Sequence, residues 1–512
     1  MVEYGKELGF EKTTIEDVIV LDLPVHGDNR GWFKENWQRA KMSIAGAGQI
    51  PDFNIVQNNI SFNAQRGVTR GIHAEPWDKF ISVATGSVFG AWVDLRAGSA
   101  TFGKVFTTTI TPDKAIFIPR GVGNSFQALE DNTAYTYLVN DHWSANAQSI
   151  YTFVNLADPA LNIAWPIELN SPEVELSDKD KAHPNLVDVE PMRPKKTLVI
   201  GANGQLGRAI LNQVQDDKAS HDDRLDKQDY IFADVVGNEE LGVIEFNALD
   251  ESEYSQFDLT QVGTIINCAA FTAVDAAETL QGRQLAWKLN AKLPQLLTKI
   301  ANQYDITLVH ISSDYVFDGE LCNHPAGVPC IKQCQHTEGE CFSPLGVYAQ
   351  SKAAGDVAVE LAKKHYILRT SWVVGDGNNF AKTMYNLAQK GVKPEVIDDQ
   401  FGRLTFTKTL ADVIFHILEN KPEFGVYNIS NGGKTASWNM IAKKVFELAG
   451  KSPDDVSRIT TYHYDEKNYN PEKPISPRPA NSTLNLDKIE ATGFTPTDWE
   501  TELTKYINGL EV

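Results

Sequence analysis

Two rhythms of apolar and polar positions divide the chain. Through roughly the first 190 residues the apolar positions alternate in short runs, FISVATGSVFGAWVDL, GKVFTTTITP, KAIFIPRG and AYTYLVND, punctuated by Gly and Pro. Period-two runs of this length predict the antiparallel strands of a sandwich or barrel. From Thr197 onward, apolar runs (TLVIG, DYIFADVV, TIINCAA, TLVHISS, HYILRTS) alternate with longer helical segments. That alternation predicts βαβ units around a doubly wound parallel sheet. The stretch between, LVDVEPMRPKKT, mixes prolines with charges of both signs and has no period. It reads as a linker. The expected architecture is multidomain: an all-β domain at 1–190, a linker at 191–196 and an α/β domain at 197–512.

Length agrees with more than one domain, since 512 residues exceed what one hydrophobic core usually serves. A net charge of -20 argues against nucleic acid as a partner, because such a surface neutralises few phosphates. No apolar run is long enough to span a membrane, so none is expected as a partner. The N-terminus, MVEYGKELGFEKTT, lacks the apolar core of a secretory signal. With an odd count of five cysteines, this predicts a reducing, cytoplasmic setting.

The segment TLVIGANGQLGRAI sets Gly201, Gly204 and Gly207 between a strand and a helix. Such glycines serve a tight turn, close approach of backbone to a pyrophosphate, and helix–sheet packing. Helix N-terminal amides then bind the phosphates. The turn, with Asn203, Gln205 and Leu206, predicts a dinucleotide cofactor. Asp234 ends the next strand run, either reaching a ribose or simply solvated there. FNALD, ending at Asp250, is a candidate for the adenine end, and Ala269 and Ala270 follow the next strand run. Further on, Tyr348 and Lys352 stand four apart, on one helical face. An ammonium beside a phenol is expected to lower its pKa, and the phenol then delivers a proton to a carbonyl oxygen as hydride arrives at carbon. Ser313, at a strand end, is placed to hold the same oxygen.

GANGQLG, NCAAFTAVDAAE, SSDYVFDG, YAQSK, LRTSWVVG and DQFGRLT resemble the extended short-chain dehydrogenase/reductases, and among them the dTDP-4-dehydrorhamnose reductases. The resemblance implies a Ser313–Tyr348–Lys352 triad, sugar-nucleotide contacts near Trp372 and Arg403, and reduction of a 4-keto-6-deoxy sugar nucleotide by NADPH or NADH. One departure is a longer insert before YAQSK with Cys322, Cys330, Cys334, Cys341, His324 and His336. The cysteine spacing lacks paired CxxC knuckles, which favours free or conditionally paired thiols over a structural zinc.

In the β half, His73 follows TRGI, and Arg30, Arg70 and Lys79 occupy strand-like contexts where inward cations need an anion. A basic barrel mouth suits a diphosphate. GDNRGWFKENW, IVQNNIS, RGVTRGIHAEPWDKF, FIPRGVGNSF, ALNIAWP and LSDKD resemble the dTDP-4-dehydrorhamnose 3,5-epimerases, whose fold is a cupin-type jelly roll, from about residue 14 to 186. The resemblance implies His73 as base, Asp180 as its partner and Tyr137 as acid. It places Arg30, Gln57, Asn59, Arg70 and Lys79 on the substrate, and a homodimer through the β domain. HAEPWDK is shorter than the family's loop, and Asn124 stands where the family usually has a histidine, at the same substrate position. No metal is expected, since this half shows no clustered histidines. Two rivals to a bifunctional enzyme are a reductase with a degenerate β module and a non-catalytic subunit on a reductase-like fold. Retention of His73, Tyr137, Asp180, Tyr348 and Lys352 weighs against both.

Overall fold

The computed structural model describes residues 2–44, 48–51, 54–143, 145–216, 226–320, 334–470 and 473–510. The chain forms two compact units, Met1–Pro194 and Lys195–Val512.

The first unit is built on two antiparallel sheets. One runs, edge to edge, Gly9–Lys12, Ile19–Asp22, Lys114–Ile118, Lys79–Thr85, Thr133–Val139 and Gln57–Asn63. The other runs Thr152–Phe153, Thr69–Ala74, Val122–Ala128, Val88–Asp94 and Val105–Ile110. Ile81, Val83, Trp92, Phe126 and Tyr135 pack together as a buried core. Val83 and Tyr135 come from the first sheet, Trp92 and Phe126 from the second, as period-two alternation requires. A further core joins Ile72, Ala74, Val93 and Leu95 to Val154, Leu156, Leu161 and Met192. Met192, from the stretch read as linker, therefore belongs to this unit, and its N–H donates to the Leu95 carbonyl at 2.8 Å. Lys196 already opens the first strand of the second unit. A two-stranded hairpin, Val25–Asp28 with Gly31–Lys34, stands apart from both sheets.

The second unit holds one parallel sheet in the order Val243–Glu245, Tyr230–Asp234, Lys196–Ile200, Val262–Asn267, Thr307–Ser313, His365–Thr370 and Gly425–Ile429. Lys196–Ile200 comes first in the chain but lies inside the sheet, and strand order reverses between it and Val262–Asn267. That reversal leaves a crevice at the strand C-termini, where doubly wound sheets bind ligands. Apolar clusters cover both faces: Ile210, Leu211 and Ile414 on one, Leu297, Ile300 and Val359 on the other. A smaller C-terminal layer packs around Met384, Val396, Ile441, Val445, Phe446, Leu503 and Ile507.

Candidate active sites

In the β unit, Thr69–Ala74 and the short helix Asp178–Lys181 converge. Ser177 caps that helix, its hydroxyl accepting the Asp180 N–H, and Asp180 is buried. The His73 Nε2 lies 2.8 Å from Asp180 Oδ1. Burial is the largest influence on the Asp180 carboxyl and opposes its ionisation, but the His73 hydrogen bond, the charges of His73 and His183 and the Ser177 hydrogen bond together outweigh it and hold the group below the usual carboxylate range. Asp180 is thus the acceptor, Nε2–H the donor, and the Nδ1 lone pair is left free.

Asn124 sits directly across the strand ladder from His73. Its Oδ1 accepts from Trp92 Nε1 at 3.0 Å and from the Tyr135 hydroxyl at 2.8 Å. Both bonds fix the amide, so Asn124 offers only NH₂ to a ligand. Tyr137 lies beside Tyr135, and Lys79 Nζ stands 5.3 Å from the Tyr137 ring centroid. Burial and then the nearby Glu75 push the Tyr137 phenol up to about 12. Lys79 is only 2 % exposed, and its anion is internal: Glu75 Oε1 at 2.9 Å. Glu75 was missed in the sequence because HAEPWDK reads only as a shortened loop.

The remaining substrate candidates are less enclosed. Gln57 and Asn59 bond to each other at 2.8 Å on an edge strand. Arg70 is exposed and donates to Asn63 Oδ1 at 3.2 Å. Arg30 is not in a strand: it sits at the hairpin turn, 85 % exposed and paired with Asp28. The expected lack of clustered histidines also gives way. Folding brings His183 to His73, ring centroids 5.3 Å apart, with Phe153 stacked on His183 at 4.7 Å.

In the second unit, Gly201 takes φ +83, and a Cβ there would lie 2.6 Å from the Ala269 amide nitrogen. At Gly207 a Cβ would meet the Gly201 carbonyl oxygen at 2.3 Å, so helix Gln205–Asp216 packs against the turn only with glycine there. The cradle opens on a cavity of about 260 Å³ lined by Gly201, Gly204, Asp234, Phe246, Ala269 and Ala270 among others. Asp234 Oδ2 accepts the Asn203 N–H at 2.9 Å, so this carboxylate also shapes the turn. Asn203 and Gln205 bind backbone carbonyls of Val236 and Asn378, and Leu206 is buried in the helix–sheet core. Asp250 does not line the cavity; it caps the turn Glu251–Gln256 through the Ser252 N–H.

Helix Val347–Val359 carries Tyr348 and Lys352 to the end of strand Thr307–Ser313. The Lys352 Nζ donates to the Ile311 carbonyl at 2.6 Å, and burial pushes the ammonium down to about 8. Tyr348 is hydrogen-bonded to Ser313, yet burial pushes its phenol up to about 12. The expected lowering by Lys352 is therefore absent in this state: burial leads, the Asp314 and Asp356 carboxylates add to it, and the Ser313 hydrogen bond opposes them without prevailing. Ser313 Oγ donates to Asp314 Oδ1 at 3.0 Å and accepts the Tyr315 N–H. Its proton is committed to Asp314, so Ser313 receives the Tyr348 hydroxyl rather than donating to a ketone. Beneath lies the buried pair Asp356–Arg369 at 3.0 Å.

Tyr315 packs edge-on to Tyr348 at 5.6 Å and also lines a cavity of about 330 Å³ with Phe380, Gln400, Trp438, Thr461, Ser476 and Arg478. Neither Trp372 nor Arg403 lines it. Trp372 stacks on Trp438 at 3.7 Å and so supports the wall. Arg403 is buried, its guanidinium on the Leu484 carbonyl. Trp438 and Arg478 lie far along the chain from YxxxK, and no local pattern marks them. Of the insert, Cys322, Cys330 and His324 lie outside the described residues. Cys334 is disulfide-bonded and Cys341 free, while His336 bonds Glu340 and the Asn481 carbonyl.

Known proteins match each unit separately. Residues 195–512 match the RmlD substrate binding domain and residues 12–188 the dTDP-4-dehydrorhamnose 3,5-epimerase family. A protein RmlC homolog of Streptococcus pyogenes serotype M6 is 51% identical over 183 residues, covering 35% of this chain and 90% of its own length. The dTDP-4-dehydrorhamnose reductase of Aggregatibacter actinomycetemcomitans is 32% identical over 325 residues, covering 60% of this chain and 97% of its own. A crystal structure of a dTDP-4-dehydrorhamnose reductase from Clostridium acetobutylicum superposes with a TM-score of 0.50 at 33% identity, covering 62% of this chain and 100% of that one.

Proposed function

We infer that this chain, which belongs to the RmlD family through residues 195–512 and to the dTDP-4-dehydrorhamnose 3,5-epimerase family through residues 12–188, performs both reactions on one nucleotide sugar. The substrate is dTDP-4-keto-6-deoxyglucose and the product dTDP-L-rhamnose. The observation that carries this reading is a proton-handling pair assembled in each half, His73–Asp180 and Tyr348–Ser313.

In the first step, the 4-keto group acidifies the carbons beside it. The free Nδ1 of His73 accepts a proton from carbon, and Asp180 steadies the imidazolium. Tyr137, protonated through neutral pH, returns a proton to the opposite face. For the second step, the glycine cradle, Asp234 and Ala269 would hold a nicotinamide dinucleotide, NADPH or alternatively NADH, which when bound would supply the hydride for C4. Tyr348 supplies the proton to the C4 oxygen, and the Lys352 ammonium offsets the phenolate left behind. The Tyr315–Arg478 cavity takes the sugar nucleotide.

No helix among the described residues is long and apolar enough to cross a membrane. We place the enzyme in the cytoplasm. We also place a homodimer contact on the β half, where edge strand Gln57–Asn63 exposes Ile60 and Phe62.

The test supplies purified protein with dTDP-4-keto-6-deoxyglucose and NADPH, follows loss of reduced-nicotinamide absorbance, and identifies the sugar by NMR. Rhamnose nucleotide is the expected product. Cofactor oxidation with unepimerised stereochemistry leaves a reductase alone, and no oxidation even with a separate epimerase present overturns the reductase assignment.

A further inference from the structure

His183 has no part in the two reactions above, yet the fold seals it beside the proposed base. It is 9 % exposed, and both ring nitrogens are buried without a hydrogen-bond partner. Its Nε2 stands 3.8 Å from Asp180 Oδ1, the atom that also accepts from His73. A buried imidazole left unpaired on both sides is costly unless something else occupies its lone pair.

Ligand atoms of His73, Asp180 and His183 all lie within 4.8 Å of one another. Tetrahedral zinc with bonds near 2.0–2.1 Å spaces its ligands by about 3.3 Å, so small side-chain shifts close the set. His73 is 32% exposed in its side chain, which leaves an entry path and a fourth position for water.

We propose that His73, Asp180 and His183 form a binding site for a divalent transition metal, zinc in particular, and that occupancy switches the epimerase off. The metal takes the place of the proton between His73 Nε2 and Asp180. That proton moves to Nδ1, through solvent, and the neutral ring has exchanged one tautomer for the other. Nδ1 then has no lone pair with which to accept a proton from carbon. Inhibition rests on the reading of His73 as base; binding does not.

The test uses the full chain and its His183→Gln and Asp180→Asn variants. Binding is read with Co²⁺ by visible absorption, and zinc occupancy by the shift in thermal unfolding of each protein. Inhibition is read by deuterium uptake from solvent into the keto sugar, without NADPH. The expected result is a tetrahedral cobalt spectrum lacking thiolate-to-metal bands in the wild type and lost in both variants. Zinc should stop deuterium uptake in the wild type, reversibly on chelation. The His183→Gln protein should need at least tenfold more zinc for the same fractional loss or the same thermal shift. Equal zinc sensitivity in the variants, or a cobalt–thiolate spectrum that survives them, overturns the proposal. If the wild type takes up no deuterium at all, the cobalt spectrum and thermal shifts still decide the site, and it is the epimerase reading that fails.

Discussion

The two halves assemble proton-handling pairs in opposite ways. His73 and Asp180 stand 107 residues apart in the chain, and meet only because a central strand and a capped one-turn helix converge. Tyr348 and Lys352 stand one helical turn apart, and the chain sets their spacing before any tertiary contact forms. Their surroundings differ as well. The His73 side chain is a third exposed and its partner is held as carboxylate. Tyr348 and Lys352 are desolvated, and both are pushed toward their uncharged forms. Local spacing thus identifies a pair, whereas its charge state follows from how far the fold removes it from water.

The sharpest way to break this comparison is to disable one pair and read the other. His73→Ala should lower deuterium uptake into the keto sugar by roughly 100- to 10,000-fold and leave reduction of an epimerised substrate unchanged. Tyr348→Phe should do the reverse by a similar factor. A variant that silences both reactions would mean the two sites are not independent.

pH separates them next. Lys352 is charged below about 8 and uncharged above it, and only the charged form offsets a phenolate. Reductase kcat/KM should therefore fall above that pH, approaching about tenfold per unit. Deuterium uptake at the His73 site should lack this limb. A reductase profile that stays flat through the same range would mean that the Lys352 ammonium does not offset the phenolate.

The smallest effect is on stability. Asn124→Ala leaves the Trp92 indole N–H and the Tyr135 hydroxyl without their acceptor. It should cost about 2 kcal/mol, seen as an earlier unfolding transition of the β unit alone. No change in that transition would show that the amide serves only a ligand.

Much of the molecule was legible in the chain. Alternation gave the two antiparallel sheets, and the Gly201–Gly207 spacing gave the strand–turn–helix at the sheet's reversal point. Motif resemblance pointed to His73, Asp180, Ser313, Tyr348 and Lys352. At other positions the residue type does not reveal which neighbour it satisfies in the fold. Arg403 serves a buried carbonyl, Asp250 caps a turn, and Arg30 sits on an exposed hairpin. Glu75, Trp438 and Arg478 carry no local signature at all.

Sequence by itself determined the two-unit plan, the element types and the one-turn pairing of Tyr348 with Lys352, because periodicity and helical spacing act over a few residues. Only the tertiary structure decided that His183 stands beside His73, that the Ser313 proton belongs to Asp314, and that Tyr348 titrates high. Those outcomes depend on which groups are brought together from distant parts of the chain, and on how much water is excluded when they meet.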